Sequence, residues 1–333
     1  MEKSEILHLQ YGINLHADHV YDSYQPLKIT AAYPDPEANE LREALAEYTG
    51  TTKDMIMCGN GSDELIDVYI RTLASSDKKF SVAVSPPMYY QYPVYAERVG
   101  AKAISLPHDR SKITPELVKE YGGDPAHTSV MLDTPSNPAG DRVTREQVVE
   151  LLDAGYQVFV DEAYYEFCGE TMIDLIARFP KQLVISRTLS KFCAMSGSRV
   201  GYIIADASMI ASLHTLKMLF NVNSEGQQRA LFALRHMDEF HEAVQSLKAS
   251  KAFIEEELKK IGEYELFSAL DLYVIFKHAT IPSLRLHRIL SEKYGIETYL
   301  FENFKGYSVL RVAVAKPEVM QRLVDALRNI IAK

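Results

Sequence analysis

Between residues 55 and 205 the chain alternates short apolar runs with longer amphipathic ones. The runs are Met55–Met57, Phe80–Val84, Ala103–Leu106, Ser129–Leu132, Gln157–Val160, Leu183–Ile185 and Val200–Ala205, most of them separated by helix-length segments such as Asp63–Leu73 and Tyr89–Val99. Short apolar runs bounded by turn residues predict buried strands, and their alternation with helices predicts α/β layers around a mostly parallel sheet of seven strands. In open α/β sheets, ligands sit at the carboxyl ends of the strands. Past about Asp206 the pattern lengthens. Phe240–Ile261 reads as a charged helix, Tyr273–Phe276 and Val309–Val314 as strands, and Pro317–Ile331 as an amphipathic helix, which together predict a smaller α+β domain. Ahead of the sheet, Tyr33-Pro34-Asp35-Pro36 is a turn and Glu37–Tyr48 has helical spacing, while residues 1–30 show weak periodicity. The expected division is an arm over 1–30, a large domain over 31–238 and a small domain over 239–333.

Composition narrows the class. A chain of 333 residues suits about two domains, and 47% hydrophobic with 24% charged residues is ordinary for a globular enzyme. A formal net charge of −9 argues against a nucleic-acid partner, because phosphate backbones are held by clustered Lys and Arg. Cys58, Cys168 and Cys193 are odd in number and far apart, so a reducing cytoplasm is expected rather than a disulfide framework. The start, MEKSEILHLQ, lacks the apolar core of a signal peptide, and no run approaches the roughly 18 apolar residues of a membrane span. His16 and His19 have no neighbouring Cys or carboxylate pattern, so no metal is expected.

Chemistry concentrates in Ser186–Tyr202, SRTLSKFCAMSGSRVGY. Lys191 lies just past an apolar strand, among hydroxyl residues, with Gly197 at an expected tight turn. Lysine forms Schiff bases with carbonyl compounds once burial or a neighbouring cation lowers its pKa, and Arg199 is such a cation or a phosphate clamp. A surface lysine and arginine on a serine-rich loop is the bland alternative. Gly59-Asn60-Gly61-Ser62-Asp63-Glu64 follows a strand and opens a helix, so it reads either as a phosphate cup or as an ordinary helix cap. Pro87-Met88-Tyr89 brings an aromatic to a strand end, where it either stacks on a ligand ring or joins the core. Thr134–Gly140, TPSNPAG, is a proline turn. Asp161 ends an apolar run, where a carboxylate is costly to bury without a cationic partner; a helix cap is the competing reading. Arg311 sits in the otherwise apolar run Val309–Val314, as an anion-binding fork or as a surface arginine on an edge strand.

Arg187-Thr188-Leu189-Ser190-Lys191, followed by Gly197-x-Arg199-x-Gly201-Tyr202, resembles the lysine segment of the histidinol-phosphate aminotransferase family. These are pyridoxal-phosphate enzymes of the aspartate aminotransferase fold, fold type I. TPSNPAG is similar to the family's PNNPTG turn, with Ser136 for the first Asn and Ala139 for Thr. Six motifs in the family's order, from Tyr33 to Arg311, cover nearly the whole chain. The resemblance implies a three-layer α/β/α large domain with pyridoxal 5'-phosphate carried on Lys191. It puts the phosphate among Gly61, Ser62, Asp63, Ser190 and Arg199, and the ring between Tyr89 and Asp161. Asn137 and Tyr164 would meet the ring's 3′-oxygen, and Tyr33 would reach the phosphate of the neighbouring subunit in a homodimer. Lys191, Asp161 and Tyr164 are then the catalytic set, and Arg311 and Tyr21 meet the substrate. The reaction implied is transamination between an L-amino acid or histidinol phosphate and a 2-oxo acid. Decarboxylation, as in the related threonine-phosphate decarboxylases, draws on the same electron sink and is the alternative; a degenerate α/β binding protein is the non-enzyme one. Tyr299 stands where histidinol-phosphate members carry a second arginine, and INLHADHVYDSY replaces an Asn-Glu-Asn-Pro-like segment. A single fork at Arg311 is therefore expected to match one carboxylate.

Overall fold

A computed structural model describes residues 6–28 and 32–331. The first five residues of the expected arm, its last two, the first residue of the expected large domain and the two at the C-terminus lie outside the described residues. The chain forms two compact units. The larger comprises Ser23–Asn137 and Asp141–Met237; the smaller comprises Met1–Asp22, Pro138–Gly140 and Asp238–Lys333.

The larger unit is built on seven strands: β1 Ile56–Asn60, β2 Ser81–Val84, β3 Lys102–Ser105, β4 Thr128–Asp133, β5 Gln157–Asp161, β6 Leu183–Thr188 and β7 Val200–Ala205. Their order across the sheet is β1-β7-β6-β5-β4-β2-β3. All pairings are parallel except those of β7, which runs opposite to both of its neighbours. Strand β1 is therefore parallel to the rest, and Asn60 opens on the same edge as Asp133, Asp161 and Thr188. Sheets crossed by helices are buried on both faces and so read as continuous apolar runs. The helix Gly61–Ser76 covers one face, packing Leu65, Ile66 and Tyr69 with Met131, Phe159, Val184 and Ile203. Alternation sends Val130, Val158, Val160 and Ile185 to the opposite face, where they are equally buried.

The smaller unit holds most of the long helix Met237–Ile261, the helix Ser283–Tyr294, the closing helix Pro317–Ile331 and an antiparallel sheet. That sheet consists of β8 Tyr264–Phe267, β9 Tyr273–His278, β10 Tyr299–Phe304 and β11 Tyr307–Ala313, ordered β10-β11-β9-β8. Strands β8 and β10 were not expected; they are the two outer strands, half-exposed and mixed in composition. Leu7–His8 pairs in parallel with Ile296–Glu297. The three residues Pro138–Gly140 are tied to this unit. Leu270 N–H donates to Pro138 O at 3.1 Å, and Ala139 is buried with Ile275, Phe304 and Val309. Among the described residues no helix is long and apolar enough to cross a membrane.

Candidate active site

The strand ends of the larger unit open on one pocket, the edge at which open α/β sheets bind their ligands. At one end lies the first turn of the helix Gly61–Ser76, whose amides have no intrahelical acceptor. Gly61 has φ of 76°, and a Cβ there would lie 2.3 Å from Arg199 Nη2. A Cβ on Gly201 would lie 2.6 Å from Ser62 N. Glycine at these two positions is what lets β7 and Arg199 close against the helix start. Arg199 is itself left-handed, with φ of 55°, as is Ala194 with φ of 52°. The turn Ser196–Ser198 is present, yet its strain falls on these two residues and not on Gly197. Holding a non-glycine residue this way costs on the order of 1–3 kcal/mol, which the surrounding fold must over-determine. Arg199 donates to Asp63 Oδ2 at 3.1 Å and to Ser196 O at 3.1 Å. Ser190 Oγ lies 2.9 Å from Thr188 Oγ1. Amides, a hydroxyl and a guanidinium are together the donor set of a phosphate site.

Asp161, the last residue of β5, is buried. It accepts from the Tyr92 hydroxyl at 2.7 Å and from Ala163 N–H at 3.0 Å. Burial pushes its carboxyl up to about 7, with the Tyr92 hydrogen bond opposing and the Asp133 charge adding. With a hydroxyl and an amide as its partners, this carboxylate is matched by a cationic ring nitrogen. The adjacent Glu162 turns to the other face and pairs with Arg187 at 2.8 Å, where Arg187 also lies 3.5 Å from the centre of the Tyr165 ring. Tyr89 donates its hydroxyl to Asp63 Oδ1 at 2.5 Å; burial, with Asp63 beside it, pushes that phenol well up. Both ends of the pocket thus fit pyridoxal phosphate, the helix start for its phosphate and Asp161 for its ring nitrogen.

The pocket gathers Ser62, Asp63, Ser190 and Arg199 at its phosphate-type end, with Gly61 forming the helix start. Lys191, Asp161, Tyr89, Asn137 and Tyr164 line the rest. Tyr33 is not in the lining: it is 79% exposed, with its ring stacked 4.6 Å from that of Phe220. Arg311 and Tyr21 belong to the smaller unit. Arg311 is on an interior strand and buried, which corrects the edge-strand alternative. Its guanidinium lies 4.2 Å from the Tyr273 ring centre and 4.6 Å from that of Tyr299, and it donates to Gln10 O at 2.8 Å. Tyr21 packs 5.7 Å from Phe240.

Two residues of this site were not anticipated. Asp133 ends β4 as Asp161 ends β5, so the carboxylate-at-strand-end signal applied to it equally. Tyr92 is one of four tyrosines between Tyr89 and Tyr95, and nothing in the sequence separates it from the other three.

A family model described as "Aminotransferase class I and II" matches residues 27–327. The chain is 32% identical over 306 residues to a histidinol-phosphate aminotransferase of Desulfitobacterium hafniense, covering 90% of this chain and 84% of that protein. The solved histidinol-phosphate aminotransferase from Clostridium acetobutylicum superposes with a TM-score of 0.80 at 23% identity, over 98% of this chain and 99% of that one. That from Sinorhizobium meliloti, solved in complex with pyridoxal-5'-phosphate, superposes at 0.81 and 21%, over 98% and 92%.

Proposed function

The chain belongs to the class I and II aminotransferases, and from that premise we propose how its own residues serve pyridoxal phosphate and an amino donor. The reaction is transfer of an amino group from an L-amino acid or histidinol phosphate to a 2-oxo acid. The observation that carries this reading is the single pocket lined by Lys191, Asp161 and the Arg199 helix-start cluster.

When bound, pyridoxal phosphate supplies an electron sink for the pair left at the donor's Cα. Lys191 would carry the cofactor and, when not engaged with it, would move the proton at the donor's Cα as general base. Asp161 holds a proton at the ring nitrogen; its burial beside a hydroxyl and an amide supports this, since a cation relieves the cost of the buried charge. The amides of Gly61, Ser62 and Asp63, the Ser190 hydroxyl and Arg199 hold the phosphate. Tyr89 orients the ring, and Asn137 and Tyr164 hold its 3′-oxygen. Arg311 and Tyr21 receive the donor's anionic end, and a guanidinium fork set between two tyrosine rings is matched by one anionic group. The working form is a homodimer in which Tyr33, exposed and stacked on Phe220, reaches the neighbouring subunit's phosphate. The wide spacing and odd number of Cys58, Cys168 and Cys193 support residence in a reducing cytoplasm, and the role proposed there is amino-acid biosynthesis.

The test is the visible absorption band of lysine-bound cofactor, which borohydride should abolish and Lys191→Ala should remove together with turnover. A panel of amino donors is then scored with and without a 2-oxo acid. Consumption that requires the 2-oxo acid is the expected result. Carbon dioxide release without it would replace transamination by decarboxylation, and retained turnover in Lys191→Ala would overturn the assignment of the base.

A further inference from the structure

One buried ion pair touches the pocket and is unused by the mechanism above. Asp133 and Arg110 are both almost fully buried, and Arg110 Nη1 meets Asp133 Oδ1 at 2.7 Å. Asp133 Oδ2 accepts two backbone amides, Tyr89 N–H at 3.1 Å and Asn137 N–H at 3.1 Å. Those amides belong to different loops, one after β2 and one after β4, and each loop carries a residue assigned above to the cofactor ring. Arg110 spans the same two loops from behind. Its Nη1 also donates to Ser85 O at 3.2 Å and to Pro87 O at 3.3 Å, and its Nη2 donates to the Asp133 carbonyl. The turn bearing Arg110 is anchored in its own right: Gln147 Nε2 donates to Arg110 O at 2.9 Å and to Ile113 O at 3.2 Å.

We propose that Arg110 and Asp133 are positioning residues, a buried clamp that fixes the Tyr89 loop and the Asn137 loop as the two sides of one jaw across the pocket. Neutralising Asp133 needs one hydrogen bond, whereas Arg110 reaches three main-chain carbonyls besides. A guanidinium's rigid fork suits that task, and a lysine's point charge does not. Two backbone amides on one carboxylate oxygen set the separation of the loops by main chain.

The clamp rests on the cofactor reading above, and the test separates the two. Apo-protein is titrated with pyridoxal phosphate, following the visible band, and urea midpoints are measured in parallel. Arg110→Met/Asp133→Leu replaces the pair by apolar groups of similar bulk, an exchange that stability tolerates, but removes the acceptor of both amides. Affinity should fall roughly tenfold, the worth of a hydrogen bond plus a ring contact. Arg110→Met/Asp133→Asn is also neutral but keeps an acceptor oxygen, and should recover most of that loss at a similar midpoint. Unchanged affinity in the first variant, or equal losses in both that simply follow the midpoints, would overturn the clamp. Should the first variant not fold, Arg110→Met alone serves: a normal far-UV spectrum with weakened binding is expected, and unchanged binding overturns the proposal. A wild-type protein that forms no band would instead defeat the cofactor reading.

Discussion

Strands β4 and β5 lie side by side and both end in an aspartate, with Asp133 and Asp161 in register. They share residue type, burial and position at the pocket, yet their surroundings make them different groups. Asp133 has Arg110 and two amides, and is the fixed point of two loops. Asp161 has a hydroxyl and one amide, and burial pushes its carboxyl up to about 7. A satisfied buried carboxylate is a piece of scaffold. A buried carboxyl without a cation carries a desolvation cost that either a proton or a cationic ligand relieves. The lesson is that strand-end carboxylates are told apart by their partners, which lie far away in sequence.

The contrast can be broken most directly by stability. Asp133→Asn leaves the Arg110 charge buried and unpaired, which should cost about 3–5 kcal/mol in urea unfolding of the apo-protein. The same substitution at Asp161 should cost nothing; a loss of similar size there would show the two sites to be alike. Activity should reverse the ranking. Removing one preorganised charge from a reacting centre costs roughly 10²–10³ in rate, so Asp161→Asn should lower kcat/KM by that much in a steady-state assay, and a loss under tenfold would end its assignment. The third test is pH. In the folded apo-protein the Asp161 carboxyl keeps its proton up to about 7, against 3.8 as the ordinary value. Between those pH values the folded state binds a proton that the unfolded state has lost, so the wild type should lose stability as pH rises through the window. Relative to Asp161→Asn, its apo melting temperature should fall by a few degrees from about pH 4 to pH 7 and stay level above. A difference that does not change with pH would mean that Asp161 is ionised throughout. The smallest effect belongs to Tyr92→Phe. It removes the hydrogen bond that opposes burial, worth about 1 kcal/mol, and should move the upper end of that window to higher pH in the same melting series.

Much of this could be read from the chain because the burial is two-sided. Strands β4 to β7 each carry a buried apolar run, and so do the interior strands β9 and β11 of the smaller sheet. The outer strands β8 and β10 carry charged or polar residues such as Glu265, Lys277's partner, and Glu302, and their one-sided burial left no run to recognise. Lys191 and Asp161 stood out for a similar reason, as charges at the ends of apolar runs. Arg110 did not: it lies in a polar stretch, His108-Asp109-Arg110-Ser111-Lys112, that reads as a solvated turn. Only the fold shows that one of its charges turns inward to meet a carboxylate on another element. Tyr92 was hidden by equivalence, since which of four tyrosines passes beneath the pocket depends on how the helix Gln91–Arg98 is rotated against the sheet.

The smaller unit includes Pro138–Gly140, three residues taken from the middle of the larger unit's sequence. For heredity, this means that the two units are not separable reading frames. A gene chimera with one crossover near residue 238 would inherit its β9, β10 and β11 from one parent and the Ala139 buried among them from the other. Exchange of the smaller unit between relatives should succeed only where that short stretch travels with it, so recombination is expected to preserve the common parentage of residues 138–140 and 264–313.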